Sequence, residues 1–232
     1  MATYPLTAMV LNKTKLGETD LILTLLGSDG ARHKAIAKGA RKPGSKFGGR
    51  SEPATVIQAL LAKGKTLDII TDARTLKSHQ ELREDYDAAY ALGVILDFAA
   101  TVSQESLEEK RFFQLTDVAL NTLEDILKKE ECDADRIMRI KLLVIAYLLK
   151  AAAMHGYRFD GYAHAHEGFE SRPIDSKVRH SLAFLLGATF DQLVEIDLDT
   201  FGQIDVLLDT TRLFLLNNIP ARLKALDNYS RI

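Results

Sequence analysis

The first 80 residues follow the alternation of apolar and polar positions that is typical of β-strands. Turns such as Gly27–Gly30 and Lys63–Lys65 separate short apolar runs, which lie at 6–14, 20–26, 32–38, 55–61 and 67–71. Alternating runs with turn residues between them indicate hairpins. Five short strands in so short a stretch favour a small closed barrel, and the five-stranded OB-fold is the main candidate.

After residue 80 the apolar period changes to about 3.6, which indicates helices. Apolar residues recur at this spacing over six stretches: 81–103, 105–129, 136–155, 175–187, 190–195 and 200–217. Asp133 or Asp135 is expected to cap the third helix, and residues 157–175 are predicted to be irregular. The predicted fold class is therefore α+β, with an OB-fold barrel over 1–78 and a mostly helical domain over 79–232.

The two predicted domains carry opposite net charges. Residues 1–80 hold 13 Lys and Arg against 6 Asp and Glu, whereas residues 81–232 hold 17 against 26. The overall net charge of −2 conceals this asymmetry. A basic domain joined to an acidic remainder indicates that the N-terminal domain presents an anion-binding face.

One segment of the N-terminal domain concentrates its positive charge. No carboxylate lies between Asp29 and Glu52. The stretch between them carries seven cations: Arg32, Lys34, Lys38, Arg41, Lys42, Lys46 and Arg50. Lys38, Arg41 and Lys42 are expected to be central to binding. The segment begins as a strand and is expected to continue as a mobile, glycine-rich loop, which suits contact with DNA phosphates. Two alternatives stay open. The charges form a solvated face, or the protein is a helical adaptor whose basic barrel binds an acidic protein partner.

The sequence lacks the motifs of common catalytic sites. It contains no Gly-x-x-x-x-Gly-Lys-Ser/Thr phosphate loop, no His-Glu-x-x-His and no Gly-x-Ser-x-Gly. We therefore expect no enzymatic activity and no cofactor. The pair His164 and His166 supplies too few ligands for a structural zinc ion, so no bound metal is expected either.

The chain shows no signal for export or membrane insertion. Its single cysteine, Cys132, cannot form an intramolecular disulfide, which favours a reducing compartment. The longest apolar run, from Leu142 to Leu149, is too short to span a bilayer, and the N-terminus lacks the pattern of a signal peptide. We expect a soluble cytoplasmic protein without membrane contact.

Three stretches of the N-terminal domain carry distinctive motifs. They are Leu-Gly-Glu-Thr-Asp-Leu-Ile-Leu-Thr-Leu-Leu at 16–26, Ala-Lys-Gly-Ala-Arg-Lys-Pro-Gly-Ser-Lys-Phe-Gly-Gly at 37–49, and Glu-Pro-Ala-Thr at 52–55. Together they resemble the bacterial recombination mediator RecO. His-Gly-Tyr at 155–157 and the segment 220–226 are weaker matches to the same family.

The resemblance implies a DNA-binding mediator of recombination and DNA repair. RecO-like proteins bind single- and double-stranded DNA and anneal complementary strands. Together with RecR, they help to load RecA onto DNA coated by single-strand binding protein. By the same resemblance, the protein is expected to be associated with the nucleoid.

The chain departs from many RecO proteins in one respect. These relatives carry a four-cysteine zinc element after the Gly-Tyr pair, but residues 158–169 contain no cysteine. The resemblance therefore does not extend to zinc. The cysteine-free loop at about 157–175 is expected to be held by the packing of its aromatic residues.

Aromatic residues are scarce in the basic domain. Besides histidine, residues 1–80 contain only Tyr4 and Phe47 as ring residues. Sequence-tolerant binders of single strands usually stack bases on several aromatic rings. We therefore expect phosphate contacts to dominate, which leaves base edges free to pair during annealing.

RecO-like proteins also recognise the acidic, apolar-tipped C-terminal tail of single-strand binding protein. Such a tail needs an apolar pocket rimmed by cations. The helical region offers both in one candidate set: Phe112, Phe113, Lys128, Arg136, Arg139 and Lys141. The alternative is that these aromatic residues belong to the core and that the cations are solvated.

Overall fold

The N-terminal part of the chain consists of strands and the remainder mainly of helices. The computed structural model describes residues 2–129, 131–159, 162–163, 172–221 and 223–229. The strands are β1 (Thr3–Leu16), β2 (Asp20–Gly27), β3 (Arg32–Ala37), β4 (Val56–Ala62), β5 (Asp68–Lys77), β6 (Tyr162–Ala163) and β7 (Arg172–Pro173). The helices are α1 (Gln80–Glu84), α2 (Tyr86–Val102), α3 (Lys110–Leu127), α4 (Asp133–Met154), α5 (Ser176–Gly187), α6 (Phe190–Glu195), α7 (Ile204–Asn218) and α8 (Lys224–Tyr229).

The chain divides into two compact units. The first comprises Met1–Gln80 and Ala99–Gln114, and the second comprises Glu81–Phe98 and Leu115–Ile232. The first unit thus takes in a helical segment from beyond residue 80. The predicted domain boundary between residues 78 and 79 stays a prediction.

Strands β1 to β5 close into a barrel in the order β1-β2-β3-β5-β4. Neighbouring strands are antiparallel except β3 and β5, which run parallel and pair only through Ala35 with Asp68 and Ile36 with Ile69. This architecture confirms the predicted α+β class with an N-terminal five-stranded OB-fold barrel followed by helices. Strand β1 is longer than the predicted 6–14, because it continues as a hairpin arm with β2.

Large and small apolar side chains share the barrel interior. Ala8 and Ala35 are fully buried beside Leu25 and Leu61. Small residues suit a barrel of five strands, whose interior has room for side chains only. The core residues are Leu6, Ala8, Val10, Leu21, Leu23, Leu25, Ala35, Ala37, Ala40, Phe47, Ile57, Ala59, Leu61, Ile70 and Ala73.

In the second unit, helix α4 is buried along most of its length. Every residue of the apolar run from Leu142 to Leu149 is buried. Within it, the Tyr147 hydroxyl lies 3.1 Å from the Thr116 hydroxyl, and the Tyr147 ring meets Phe98 edge-on at 6.3 Å. The apolar run is therefore a core helix with its one polar tip satisfied. Among the described residues, no helix is both long and apolar enough to cross a membrane.

Several helix starts differ from the prediction. Helix α3 begins at Lys110 instead of 105 and α7 at Ile204 instead of 200, and two further differences have a clear physical reason. The expected single helix over 81–103 is interrupted at Asp85, whose carboxylate accepts the Ala88 N–H at 2.9 Å and so favours a new helix start at α2. Helix α4 begins with Cys132 at the N-cap position, so the expected cap by Asp133 or Asp135 is wrong. Both aspartates lie in the first turn instead, where negative charge stabilises the positive end of the helix dipole.

The stretch predicted to be irregular, 157–175, contains a short strand pair. Beyond the barrel, β6 and β7 are the only strands in the described part of the chain, and they pair antiparallel over two residues each. His164 and His166 lie between them, outside the described residues. The prediction that no metal is bound therefore stays a prediction.

Candidate nucleic-acid interface

The basic segment folds into consecutive turns after β3. The Gly39 N–H donates to the Asp20 carboxylate at 2.8 Å, and the Arg41 N–H donates to the Thr19 carbonyl at 2.9 Å. Gly39 has a φ of +66°, a conformation that favours glycine over other residues. The first turn of the segment is thereby fastened to the β1–β2 hairpin.

Residues 38–52, here called the turn segment, are anchored in the barrel core by Phe47. Its side chain is buried within the core cluster, as is that of Ala40. The Ser51 hydroxyl, itself buried, donates to the carbonyls of Phe47 and Gly48 at 2.8 and 2.9 Å. The glycine content predicts a mobile loop, but the structure shows a folded segment, because two apolar side chains close the end of the barrel.

Four of the seven predicted DNA-binding cations make side-chain contacts within the fold, and three of these are Arg32, Lys46 and Arg50. The Arg32 guanidinium donates to the Ala100 carbonyl at 2.9 Å within the first unit. Lys46 reaches the Thr71 carbonyl at 2.9 Å and the Asp72 carboxylate at 3.3 Å, and it lies over the Phe47 ring. Arg50 donates to the Lys46 carbonyl at 2.6 Å. The last two therefore help to hold the turn segment in place.

The other four predicted cations are exposed: Lys34, Lys38, Arg41 and Lys42. Arg41 makes one contact, from Nη1 to the Gly17 carbonyl at 3.1 Å. Within the described residues the side chains of the three lysines form no hydrogen bond or ion pair. Lys38, Arg41 and Lys42 lie beside the β1–β2 hairpin, whereas Lys34 lies further back along β3. The structure thus places the predicted centre of the basic segment at one end of the barrel.

The same end of the barrel carries a cleft of about 310 Å³ between β1 and the turn segment. This feature is called the basic cleft, and its lining residues are Lys13, Lys15, Leu21, Ala40, Arg41, Gly48, Ser51 and Glu52. Three cations and one carboxylate line it. A cleft with this excess of positive charge favours a phosphate or another anion.

Sequence reasoning missed Lys13 and Lys15. Strict alternation from the buried Val10 places both lysines on the outer face of the barrel. A register shift between Val10 and Asn12 reverses the alternation, so that Lys13 and Lys15 stand opposite the core residues Leu23 and Leu21. The lysines therefore leave β1 on the face that opens into the basic cleft, and no local signal in the sequence marks this reversal.

The electrostatic surroundings favour an ionised Asp20 at the base of the turn segment. The hydrogen bond from the Gly39 backbone is the largest influence that lowers the pKa of the Asp20 carboxyl, followed by the bond from the Thr19 hydroxyl. The charges of Lys38 and Lys42 lower this pKa further. The Asp20 carboxylate therefore stabilises the turn at Gly39 through this hydrogen bond and through the charges of Lys38 and Lys42.

Tyr4 and Phe47, the two ring residues of the barrel besides histidine, both make contacts within the fold. Phe47 is buried in the core, and the Tyr4 hydroxyl donates to the Asp68 carboxylate. Burial, and then this hydrogen bond, raises the pKa of Tyr4 above its usual range. Neither ring is presented as a platform for bases, so the basic cleft and the exposed lysines offer contacts to phosphates.

Comparisons with known proteins agree with the motifs at this end of the barrel. The sequence profile described as "Recombination protein O N terminal" matches residues 1–79. A DNA repair protein RecO from Bifidobacterium adolescentis is 33% identical over 159 residues, which cover 68% of this chain and 61% of that protein. The chain belongs to the RecO family. A second RecO protein, from Rubrobacter xylanophilus, is 33% identical over 165 residues, which cover 70% of this chain and 62% of that protein.

A third RecO protein has a higher identity over a shorter part of the chain. A RecO protein from a Nocardioides species is 44% identical over 102 residues, or 44% of this chain and 42% of that protein. The alignments with these three relatives thus span between 42% and 62% of the relatives' own length. The activity and partners of those proteins are therefore assigned to this RecO-family chain only as a proposal.

The residues predicted to bind the tail of single-strand binding protein fall into both units of this RecO-family chain. In the first unit, Phe112 is fully buried and Phe113 is partly exposed. In the second unit, Lys128 is exposed and lies 3.4 Å from Asp125. This site stays a prediction.

The remaining three cations of that set each contact carboxylates of the second unit. Arg136 lies 3.2 Å from Asp133, and Lys141 lies 2.8 Å from Asp205. Arg139 is buried, and it donates to Glu131 and to the carbonyls of Leu193 and Ile196 at the end of α6. Arg139 therefore has a structural role that its sequence context did not reveal.

The described residues of the RecO-family chain include no group of three or more His, Cys, Asp or Glu side chains arranged to hold a metal ion. Cys132 is exposed as a free thiol. The expected absence of zinc rests on the cysteine count of the whole sequence and stays a prediction.

Proposed function

We propose that this protein acts in DNA repair and recombination as a non-enzymatic mediator that binds DNA without sequence preference. The observation that carries the proposal is the basic end of the barrel in a chain of the RecO family. There, Lys38, Arg41 and Lys42 of the turn segment lie beside a cleft lined by Lys13 and Lys15.

The chemistry of this surface suits contact with the DNA backbone. Lys and Arg side chains neutralise phosphates and release condensed counterions, a term that does not depend on base sequence. Because the barrel rings are buried or hydrogen-bonded, base stacking contributes little on this face. Binding therefore extends to single and double strands alike.

Backbone contact of this kind also suits strand annealing. A surface that holds two strands by their phosphates screens their mutual repulsion and leaves the base edges free to pair. In this proposal the protein anneals complementary strands and, with RecR, assists RecA loading onto DNA coated by single-strand binding protein. Contact with the acidic tail of the latter protein belongs to the same proposal.

The test is fluorescence anisotropy of labelled single- and double-stranded oligonucleotides over a range of salt concentrations. If about four phosphates are neutralised, the logarithm of affinity falls with the logarithm of salt concentration at a slope of about −3 to −4. The triple change Lys38→Ala, Arg41→Ala, Lys42→Ala is expected to weaken binding to all sequences equally and to reduce the magnitude of the slope by about 2 to 3.

A matched control carries the same charge change outside the turn segment and the basic cleft. Lys63 and Lys65 are exposed in the β4–β5 turn, where β4 ends next to Thr3, and Arg74 is exposed further along β5, opposite Gln58. Their triple change to alanine is expected to leave the slope nearly unchanged. Equal affinity and slope for wild type and the turn-segment variant would refute the assignment. Binding of an acidic polypeptide in place of DNA would favour the adaptor alternative.

A further inference from the structure

One carboxylate lies among the cations of the basic cleft. Glu52 follows a 3-10 turn at Gly49–Ser51 and ends the turn segment. Both of its carboxylate oxygens accept from Lys13 Nζ, at 2.7 and 2.6 Å. It is the one acidic residue among those that line the cleft. The Glu52 carboxylate thus occupies the position in which a phosphate oxygen would contact Lys13.

The ion pair between Lys13 and Glu52 is accessible to solvent. The side chains are 36% and 39% exposed. Exposed pairs of this kind are weak, because water and salt screen both partners. A DNA phosphate belongs to a polyanion, so its exchange for Glu52 also releases counterions. An incoming strand therefore has a net driving force to displace the carboxylate.

Lys15 is exposed beside this pair, and in the described part of the chain its side chain forms no hydrogen bond or ion pair. Arg41 lines the opposite side of the same cleft. Two further cations thus remain available to a phosphate that replaces the carboxylate at Lys13.

The backbone at Gly48 gives a second reason to place a ligand here. Gly48 lines the cleft with a φ of −44°, outside the left-handed region. An added Cβ would meet only the Ser45 carbonyl, at an ordinary 3.6 Å. The fold therefore has room for a side chain at this position, and glycine leaves the backbone open to a close approach by a ligand.

We propose that the basic cleft is a subsite for one phosphate of a DNA strand, held by Lys13, Lys15 and Arg41, and that Glu52 is its internal competitor. Without DNA, Glu52 neutralises Lys13. When DNA binds, a backbone phosphate takes the place of the carboxylate, which turns outward to solvent. This inference rests on the proposed function. It implies that DNA binding must break the ion pair between Glu52 and Lys13, which lowers the affinity for DNA.

The experiment compares Glu52→Gln with wild type in the anisotropy assay at low salt. The probe is a labelled oligothymidylate of about 16 nucleotides, the upper site size for one OB-fold. Loss of the competing carboxylate is expected to raise affinity about two- to fivefold, the range of an exposed ion pair. Glu18→Gln is the matched control, since Glu18 is exposed in the adjoining hairpin and has no ion-pair partner among the described residues.

A double-mutant cycle separates competition from a general change in charge. If Glu52 competes for Lys13, then Lys13→Ala lowers affinity more in the Glu52→Gln background than in wild type. Equal effects of Lys13→Ala in both backgrounds, or equal gains from Glu52→Gln and Glu18→Gln, would overturn the subsite and leave the proposed function standing. Failure of wild type to bind the probe in a salt-dependent manner would overturn both.

Discussion

At the scale of single residues, Phe47 connects the barrel core to the basic surface. Its ring is buried in the core while the neighbouring residues carry exposed charge. Lys46 lies 5.1 Å from the ring centre and is tied to β5 through Thr71 and Asp72. The Phe47 side chain therefore anchors the part of the turn segment that carries Lys46.

Phe47→Ala is expected to lower the free energy of unfolding by about 3 kcal/mol, because it leaves a cavity at the end of the barrel. DNA affinity is expected to fall as well, since the turn segment loses its anchor. Urea denaturation and anisotropy measure the two effects. Leu76→Ala is the control, because Leu76 is 50% exposed and its truncation leaves no cavity. Full stability of the Phe47 variant would contradict the anchoring role.

Asp20 gives the turn segment a dependence on pH. Its pKa in the folded protein is lowered from 3.8, first by the Gly39 N–H and then by the Thr19 hydroxyl. The stabilising contribution of a carboxyl with a lowered pKa is complete above its ordinary pKa and is lost as the pH falls through the lowered value. The hydrogen bond to Gly39 is therefore expected to weaken only below a pH of about 4.

An NMR titration of the Gly39 amide tests this expectation. The amide shift is expected to follow the ionisation of Asp20 with a midpoint below 3.8, and Asp20→Asn is expected to abolish the titration. A midpoint at or above the ordinary value would show that the hydrogen bond does not favour the charged form.

At the scale of secondary-structure elements, the sequence predicted the strands better than their register. Alternation and turn glycines located the five strands because both are local signals. The register shift after Val10 and the parallel pairing of β3 with β5 depend on strands far apart in sequence. Lys13 and Lys15 were missed for this reason, and the burial of Phe47 was missed because its surroundings in sequence are polar.

Helices α4 and α6 are joined by the buried guanidinium of Arg139. Its partner Glu131 and the carbonyls of Leu193 and Ile196 have little access to water that could replace the arginine. Arg139→Ala is expected to cost about 3 to 5 kcal/mol, since it leaves a buried charge unpaired. Lys128→Ala, at a position 60% exposed, is the control and is expected to change stability by less than about 0.5 kcal/mol. Urea denaturation followed by helical circular dichroism compares the two variants.

This stability effect changes how the predicted tail-binding site is tested. Loss of peptide binding in an Arg139 variant would report damage to the fold as readily as loss of a contact. Lys128→Glu is the cleaner probe, because its side chain is exposed and its one ion pair, with Asp125, is at the surface. Titration of a labelled acidic, apolar-tipped peptide against this variant and wild type is expected to show weaker binding to the variant.

At the scale of the whole molecule, the charge asymmetry and the cysteine count were readable from composition alone. The charge asymmetry predicted a basic N-terminal domain, and the single cysteine predicted that no four-cysteine zinc site is present. Elemental analysis of untagged protein is expected to give far less than one zinc ion per chain, and a chelator is expected to leave the melting temperature unchanged. Stoichiometric zinc would contradict this prediction and direct attention to His164 and His166.

Neighbouring strands of the barrel pair over unequal lengths. Strands β1 and β2 pair over eight residue pairs, whereas β3 and β5 meet through two. Local opening starts where few hydrogen bonds resist it, so the barrel is expected to open between β3 and β5 before it opens between other strands. The turn segment follows β3 directly beside this short pairing. Each opening would free the start of the turn segment while the rest of the barrel stays folded.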